Sequence, residues 1–99
     1  MTWRAFFTGC LMGCYCQTVL AGDYPPSGVA MSLQQVAPNC YYVQGVAGTA
    51  IENEGFISNA GVVVTDAGVV VIDALGSPSL AQLLMERIRT VSDKPVVKV

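Results

Sequence analysis

Histidine is absent from all 99 residues. A hydrolytic zinc site needs about three protein ligands and an open position for water, with imidazole the usual donor, so this chain cannot assemble such a site from its own side chains. Charge is also scarce: five basic and seven acidic residues make up 12% of the sequence and leave a net charge of -2. No run of Lys or Arg forms a stripe able to track phosphates or an anionic membrane surface, which argues against nucleic acid as a partner. The acids Glu52, Glu54, Asp66, Asp73, Glu86 and Asp93 lack the dense ligand-loop spacing by which carboxylates hold Mg²⁺ or Ca²⁺. Disorder is excluded by the opposite feature: 53% of the residues are hydrophobic, so the chain has apolar surface to hide. At this length it offers at most one domain, with a thin stability margin.

The apolar start is short. Arg4 gives a positive beginning, residues 5–20 are mostly apolar, and Val19-Leu20-Ala21 supplies the small residues that a signal peptidase prefers. Residues 1–21 therefore read as a signal peptide cleaved after Ala21, and the protein as periplasmic or secreted. Two other readings stay open. An uncleaved anchor would need roughly 20 uninterrupted apolar residues, whereas Gly9, Gly13 and Gln17 break this stretch. A lipoprotein signal is suggested by Leu11-Met12-Gly13-Cys14, with Cys14 acylated. Of the four cysteines, Cys10, Cys14 and Cys16 fall inside the signal, so only Cys40 remains in the mature chain. With no His to activate it, Cys40 reads as a small buried hydrophobe.

Residues 22–31, with Pro25, Pro26, Ser27 and Gly28, read as an extended leader, and residues 32–99 as the folded domain. Residues 33–36 and 40–44 are short β-favouring segments around Ala37-Pro38-Asn39, which predicts a hairpin. The glycine-containing polar stretch 45–55 reads as a surface loop, in which neither Glu52 nor Glu54 carries a catalytic assignment. Apolar runs at 56–64 and 69–72 flank Thr65-Asp66-Ala67-Gly68, a second hairpin whose Gly supplies a positive φ. Val69-Val70-Val71-Ile72 is continuous rather than alternating, which predicts a strand buried on both faces. Ser77 and Pro78 then start a helix over 79–91 that places Leu80, Leu83, Leu84, Ile88 and Val91 on one side. Asp93-Lys94-Pro95 ends it, and Val96-Val97-Lys98-Val99 begins a strand. Strand, helix and strand make the parallel crossover of an α/β layered fold.

Chemistry is best sought at Asp73, directly after the hydrophobic strand, because the carboxyl ends of such strands open into ligand crevices. A dinucleotide site would need a G-x-G-x-x-G turn, which is missing. A phosphatase of the haloacid dehalogenase type would carry a second Asp where Leu75 stands. The order of elements from residue 33 to 99 instead resembles the N-terminal part of the metallo-β-lactamase superfamily. Val36-Ala37-Pro38-Asn39-Cys40-Tyr41-Tyr42-Val43 resembles its opening hairpin and Ser58-Asn59-Ala60-Gly61-Val62-Val63-Val64 its next strand. Gly68-Val69-Val70-Val71-Ile72-Asp73-Ala74-Leu75-Gly76 is similar to its strand ending in Asp-x-Gly, with the glycine one residue later here, which bears on the geometry of that loop. The leader and residues 51–59 look most like the periplasmic zinc metallohydrolases encoded beside quinoprotein dehydrogenases.

The resemblance implies an αββα sandwich of which this chain supplies a hairpin, further strands, one amphipathic helix and the start of the next strand. It implies zinc and a small-molecule substrate in the parent protein, bound through an H-x-H-x-D-H motif that this chain ends before, so the chain alone is expected to be inactive. It implies for Asp73 a supporting role behind the metal, accepting hydrogen bonds that orient the ligand loop. The residues themselves leave a plainer role open, a strand-end Asp that caps a turn; Asn59 is read as a strand-edge amide. The alternative to an incomplete enzyme is a complete small secreted binding module, self-associating through exposed strands. Removing the signal removes Arg4 alone among the charges, leaving four basic and seven acidic residues and a net -3. Mass spectrometry of the exported protein should accordingly find a new N-terminus at Gly22; an acylated N-terminal Cys14 would replace this assignment with the lipoprotein route.

Overall fold

The structure, a computed structural model, describes residues 24–48 and 51–99. The signal segment 1–21 and its three cysteines lie outside the described residues. The described chain forms a small mixed α/β domain with a five-stranded sheet and one helix, in the order β1 (Gln34–Ala37), β2 (Cys40–Val43), β3 (Ala60–Thr65), β4 (Gly68–Ile72), α1 (Pro78–Ile88) and β5 (Val96–Lys98). Strand order in the sheet follows chain order, so β1 and β5 are its edges. The first four strands are antiparallel neighbours and β5 runs parallel to β4. The strand–helix–strand pattern read from 69–99 is thus the crossover it suggested.

Turn chemistry sets both hairpins. Pro38 pre-sets the first turn residue and Asn39 takes a left-handed φ of 61° at the second, the pattern of a type II turn. The Asn39 carbonyl then accepts from Val64 N at 2.8 Å, carrying the ladder on to β3. In the second hairpin Thr65 Oγ1 donates to Gly68 O at 2.6 Å and accepts from Gly68 N at 3.2 Å. Gly68 adopts φ 145°, and a Cβ there would lie 2.6 Å from both Pro95 O and Val97 Cγ1. Only glycine lets β5 approach so closely.

The pairing of Tyr41 with Val62, Val43 with Ala60, Val62 with Val71 and Val64 with Val69 puts these residues on one face. On that face Val43, Ala60, Val62, Val69 and Val71 are buried with Leu80, Leu83, Leu84 and Ile88 of α1, and Phe56 and Met31 belong to the same cluster. Each fully buried large side chain, such as Phe56, Leu80 or Ile88, contributes about 1.5–3 kcal/mol by leaving water. α1 starts as expected: Ser77 Oγ accepts from Leu80 N at 3.2 Å and Pro78 occupies the first turn.

Three expectations change. β4 is not buried on both faces: Val69 and Val71 lie under α1, while Val70 is half-buried and Ile72 is 60% exposed on the opposite face. One helix covers one face, and no second layer covers the other among the described residues. The third strand begins at Ala60, not Phe56, because the Phe56 backbone bonds to Asn53 O and Val46 N inside the loop. α1 stops at Ile88 and leaves Val91 outside the stripe, 38% exposed. Thr90 N bonds to Arg87 O and Val91 N to Ile88 O, tightening the chain into a turn, and Thr90 Oγ1 also donates to Arg87 O at 2.6 Å.

The 22–31 leader, where described, contains no strand or helix. Its end nevertheless belongs to the core: Met31 is 4% exposed and Val29 packs against the buried cluster. No helix among the described residues is long and apolar enough to cross a membrane.

Gly68→Ala should push β5 away from β4. Amide exchange at Val69 N, bonded to Pro95 O at 2.8 Å, is expected to accelerate at least about ten-fold, a local loss of about 1.4 kcal/mol. Gly28→Ala, with nothing within 4 Å of the added Cβ, should leave that amide unchanged.

Candidate functional site

Val43 pairs with Ala60 and Gly61 with Ile72, so the β2–β3 loop and the β4–α1 loop leave the sheet at the same end. This is the carboxyl end of β4, where an α/β layer opens toward ligands. Asp73 stands there, exposed, with its backbone at φ 68°. Leu75, two residues on, is also left-handed at φ 69°. Side chains other than Gly, Asn and Asp reach this region rarely, because Cβ crowds the following carbonyl, at a cost of about 1–2 kcal/mol.

The two left-handed residues are held in different ways. Asp73 Oδ1 accepts from Leu75 N at 2.9 Å, a local turn that makes the left-handed state tolerable for Asp. Leu75 is half-buried and packs against the core cluster, so apolar contact offsets its strain. Gly76 follows Leu75 directly. The positive φ of the bend falls on Leu75 and not on that glycine.

The facing β2–β3 loop is organised by two amides. Asn59 Oδ1 accepts from Gly45 N at 2.9 Å. A Cβ on Gly45 would fall 2.5 Å from Ser58 O, so the two sides of the loop touch backbone to backbone. Asn53 Nδ2 donates to Val46 O at 2.9 Å while Asn53 Oδ1 accepts from Gly55 N at 3.2 Å. Glu54 between them is left-handed at φ 56°, and its Oε2 accepts from Gly28 N at 3.0 Å and from Ser27 Oγ. The loops come near one another at Gly76, where an added Cβ would sit 3.7 Å from Gly55 O.

Asp73 is thus placed at the open end of the sheet, as its position after β4 suggested, and it does cap a turn. Asn59, read from sequence as a strand-edge amide, closes the neighbouring loop. Glu54 and Leu75 were not distinguishable in the sequence as special positions. For Glu54 the one available signal was Asn53-Glu54-Gly55, a turn-forming triplet. Cys40, free and half-buried, lies on β2 beside Val63.

The donor set does not fit a zinc ion. The chain has no imidazole, and among the described residues no three His, Cys, Asp or Glu side chains come together to hold a metal. No reaction step can be derived through a metal on these residues. Comparisons of the chain with known protein families, with curated proteins and with solved structures find no match in any of the three.

Because Asn retains both the local acceptor and a tolerance for left-handed backbone, Asp73→Asn should shift stability little. Asp73→Ala loses both and is expected to cost about 1–2 kcal/mol. Chemical denaturation of the mature chain and the two variants distinguishes a turn-capping Asp73 from one whose charge matters to the fold: equal losses for Asn and Ala would point to the charge.

Proposed function

We propose that residues 32–99 are the N-terminal part of an exported, metal-dependent hydrolase of the metallo-β-lactamase fold. In this reading zinc is bound by histidines outside this sequence, and Asp73 supports their loop from behind. The observation that carries the reading is the strained loop at the end of β4, where Asp73 and Leu75 are both left-handed. Backbone strain of this kind persists only where the surroundings over-determine it, and it concentrates at functional sites. An exposed carboxylate at that point is suited to accept hydrogen bonds from a neighbouring ligand loop, which fixes ligand orientation and raises metal affinity.

The uncovered face of the sheet supports the same reading. Val63 and Val70 are half-buried, and Ile72 and Val97 are more than half exposed. A second sheet stacked on this face would complete a four-layer sandwich and remove the apolar surface from water. Export to the periplasm through residues 1–21, by cleavage after Ala21 or acylation at Cys14, and a small-molecule substrate in the parent protein belong to the proposal, as does the inactivity of this chain alone. A second reading draws on the same open face: a small secreted binding module that covers it by pairing with another copy.

The reading is tested by determining the coding sequence past Val99 and assaying the complete product for bound zinc. An H-x-H-x-D-H pattern following Val99, with zinc retained on purification and affinity reduced about 10–100-fold by Asp73→Ala, is the expected outcome. A sequence without that pattern, together with a stable dimer of the mature chain in light scattering, would establish the binding module in its place.

A further inference from the structure

The leader is bound to the domain at points far apart in the chain. The Met31 carbonyl accepts from Arg87 Nε of α1 at 2.8 Å. Gly28 N and Ser27 Oγ both donate to Glu54 Oε2, and Val29 N donates to Ser27 Oγ at 3.4 Å. Pro25, Ser27, Glu54, Ser77 and Leu80 surround a cavity of about 160 Å³ between the leader and the start of α1. Residues 24–31 therefore lie as a strap across the loop end of the sheet.

Glu54 is the residue through which this strap reaches the Asp73 loop. Its carboxylate holds the leader, and its backbone, with Gly55 at φ 84°, forms a left-handed pair. The Gly55 carbonyl in turn stands 3.7 Å from where a Cβ on Gly76 would lie, next to left-handed Leu75. A loop with two strained side-chain-bearing residues depends on its neighbours to stay in that state. The neighbour across from it is the Glu54 turn, whose own position is secured by Asn53 and by the strap.

We propose that Glu54 is a latch: its carboxylate pins the leader at Ser27 and Gly28, and closure of this latch orders the loop that carries Asp73. Coupling of this kind is reciprocal, so whatever engages the Asp73 loop also tightens the strap. The inference rests on contacts within this chain and stands or falls independently of the hydrolase reading.

Amide hydrogen exchange on the full chain tests it, comparing Glu54→Gly, which keeps the left-handed backbone and removes the carboxylate, with Glu54→Gln, which keeps an acceptor oxygen. Glu54→Gly is expected to accelerate exchange at least about ten-fold at Gly28 N and also at Leu75 N, the donor to Asp73, while Ile88 N in α1 stays protected. Glu54→Gln should restore much of the protection at both. Acceleration at Gly28 with Leu75 unchanged would overturn the coupling, and so would a uniform rise that includes Ile88, which would make Glu54 a general stabiliser. Should Glu54→Gly fail to fold, Ser27→Ala removes one of the two strap bonds without touching the loop. It should produce a smaller acceleration at the same two amides, and none at Leu75 would overturn the proposal.

Discussion

Burial of one sheet face beneath α1 is the constraint on which the remaining structure depends. Leu80, Leu83, Leu84 and Ile88 recur at helical spacing, and the residues they meet, Val43, Val62, Val69 and Val71, recur at the strand spacing of two. Slipping any central strand by one position would move its valines to the opposite face and empty this core. The register of β2, β3 and β4 is therefore set by α1, and β5 is brought parallel to β4 because the chain must return over the helix to reach the sheet again. Gly68 and Pro95 meet at that return, where any side chain on residue 68 would strike β5.

A sheet organised by one helix has a second face to resolve. Val70 and Ile72 are apolar residues on a strand whose composition suits a two-sided core, and that composition stands in tension with their partial or full exposure. At the open end of the same strand, the chain accepts left-handed geometry at Asp73 and Leu75 rather than placing glycine there. Local hydrogen bonding offsets the strain at Asp73, and contact with the core offsets it at Leu75. The loop is thus tied through Leu75 to the same hydrophobic cluster that buries the inner face of the sheet.

The elements legible in the sequence were those governed by chemistry within a few positions. Pro38-Asn39 and Thr65-Asp66-Ala67-Gly68 announced two hairpins, and Ser77-Pro78 announced the start of a helix. Where the reading relied on hydrophobicity alone, it overshot. Phe56 is buried but belongs to a loop whose backbone bonds turn inward to Asn53 and Val46. Val91 continues the helical spacing of apolar residues, yet the bonds at Thr90 and Val91 close the helix before it. The leader misled in the other direction, because Pro25-Pro26-Ser27-Gly28 has the composition of a connecting segment and its role depends on partners elsewhere.

The sequence by itself determined that this chain builds an α/β layer, that Asp73 follows a continuous hydrophobic strand, and that no imidazole is present to hold a metal. These follow from residue identity and from short-range spacing, which act before the chain is compact. Only the tertiary structure decided that Leu75 would be left-handed, that Val70 and Ile72 would face away from the helix, and that Glu54 would hold the leader. The bonds from Gly28 to Glu54 and from Arg87 to Met31 join residues 26 and 56 positions apart. Such contacts carry no local signature, because the groups they pair become neighbours only when the sheet and helix have packed.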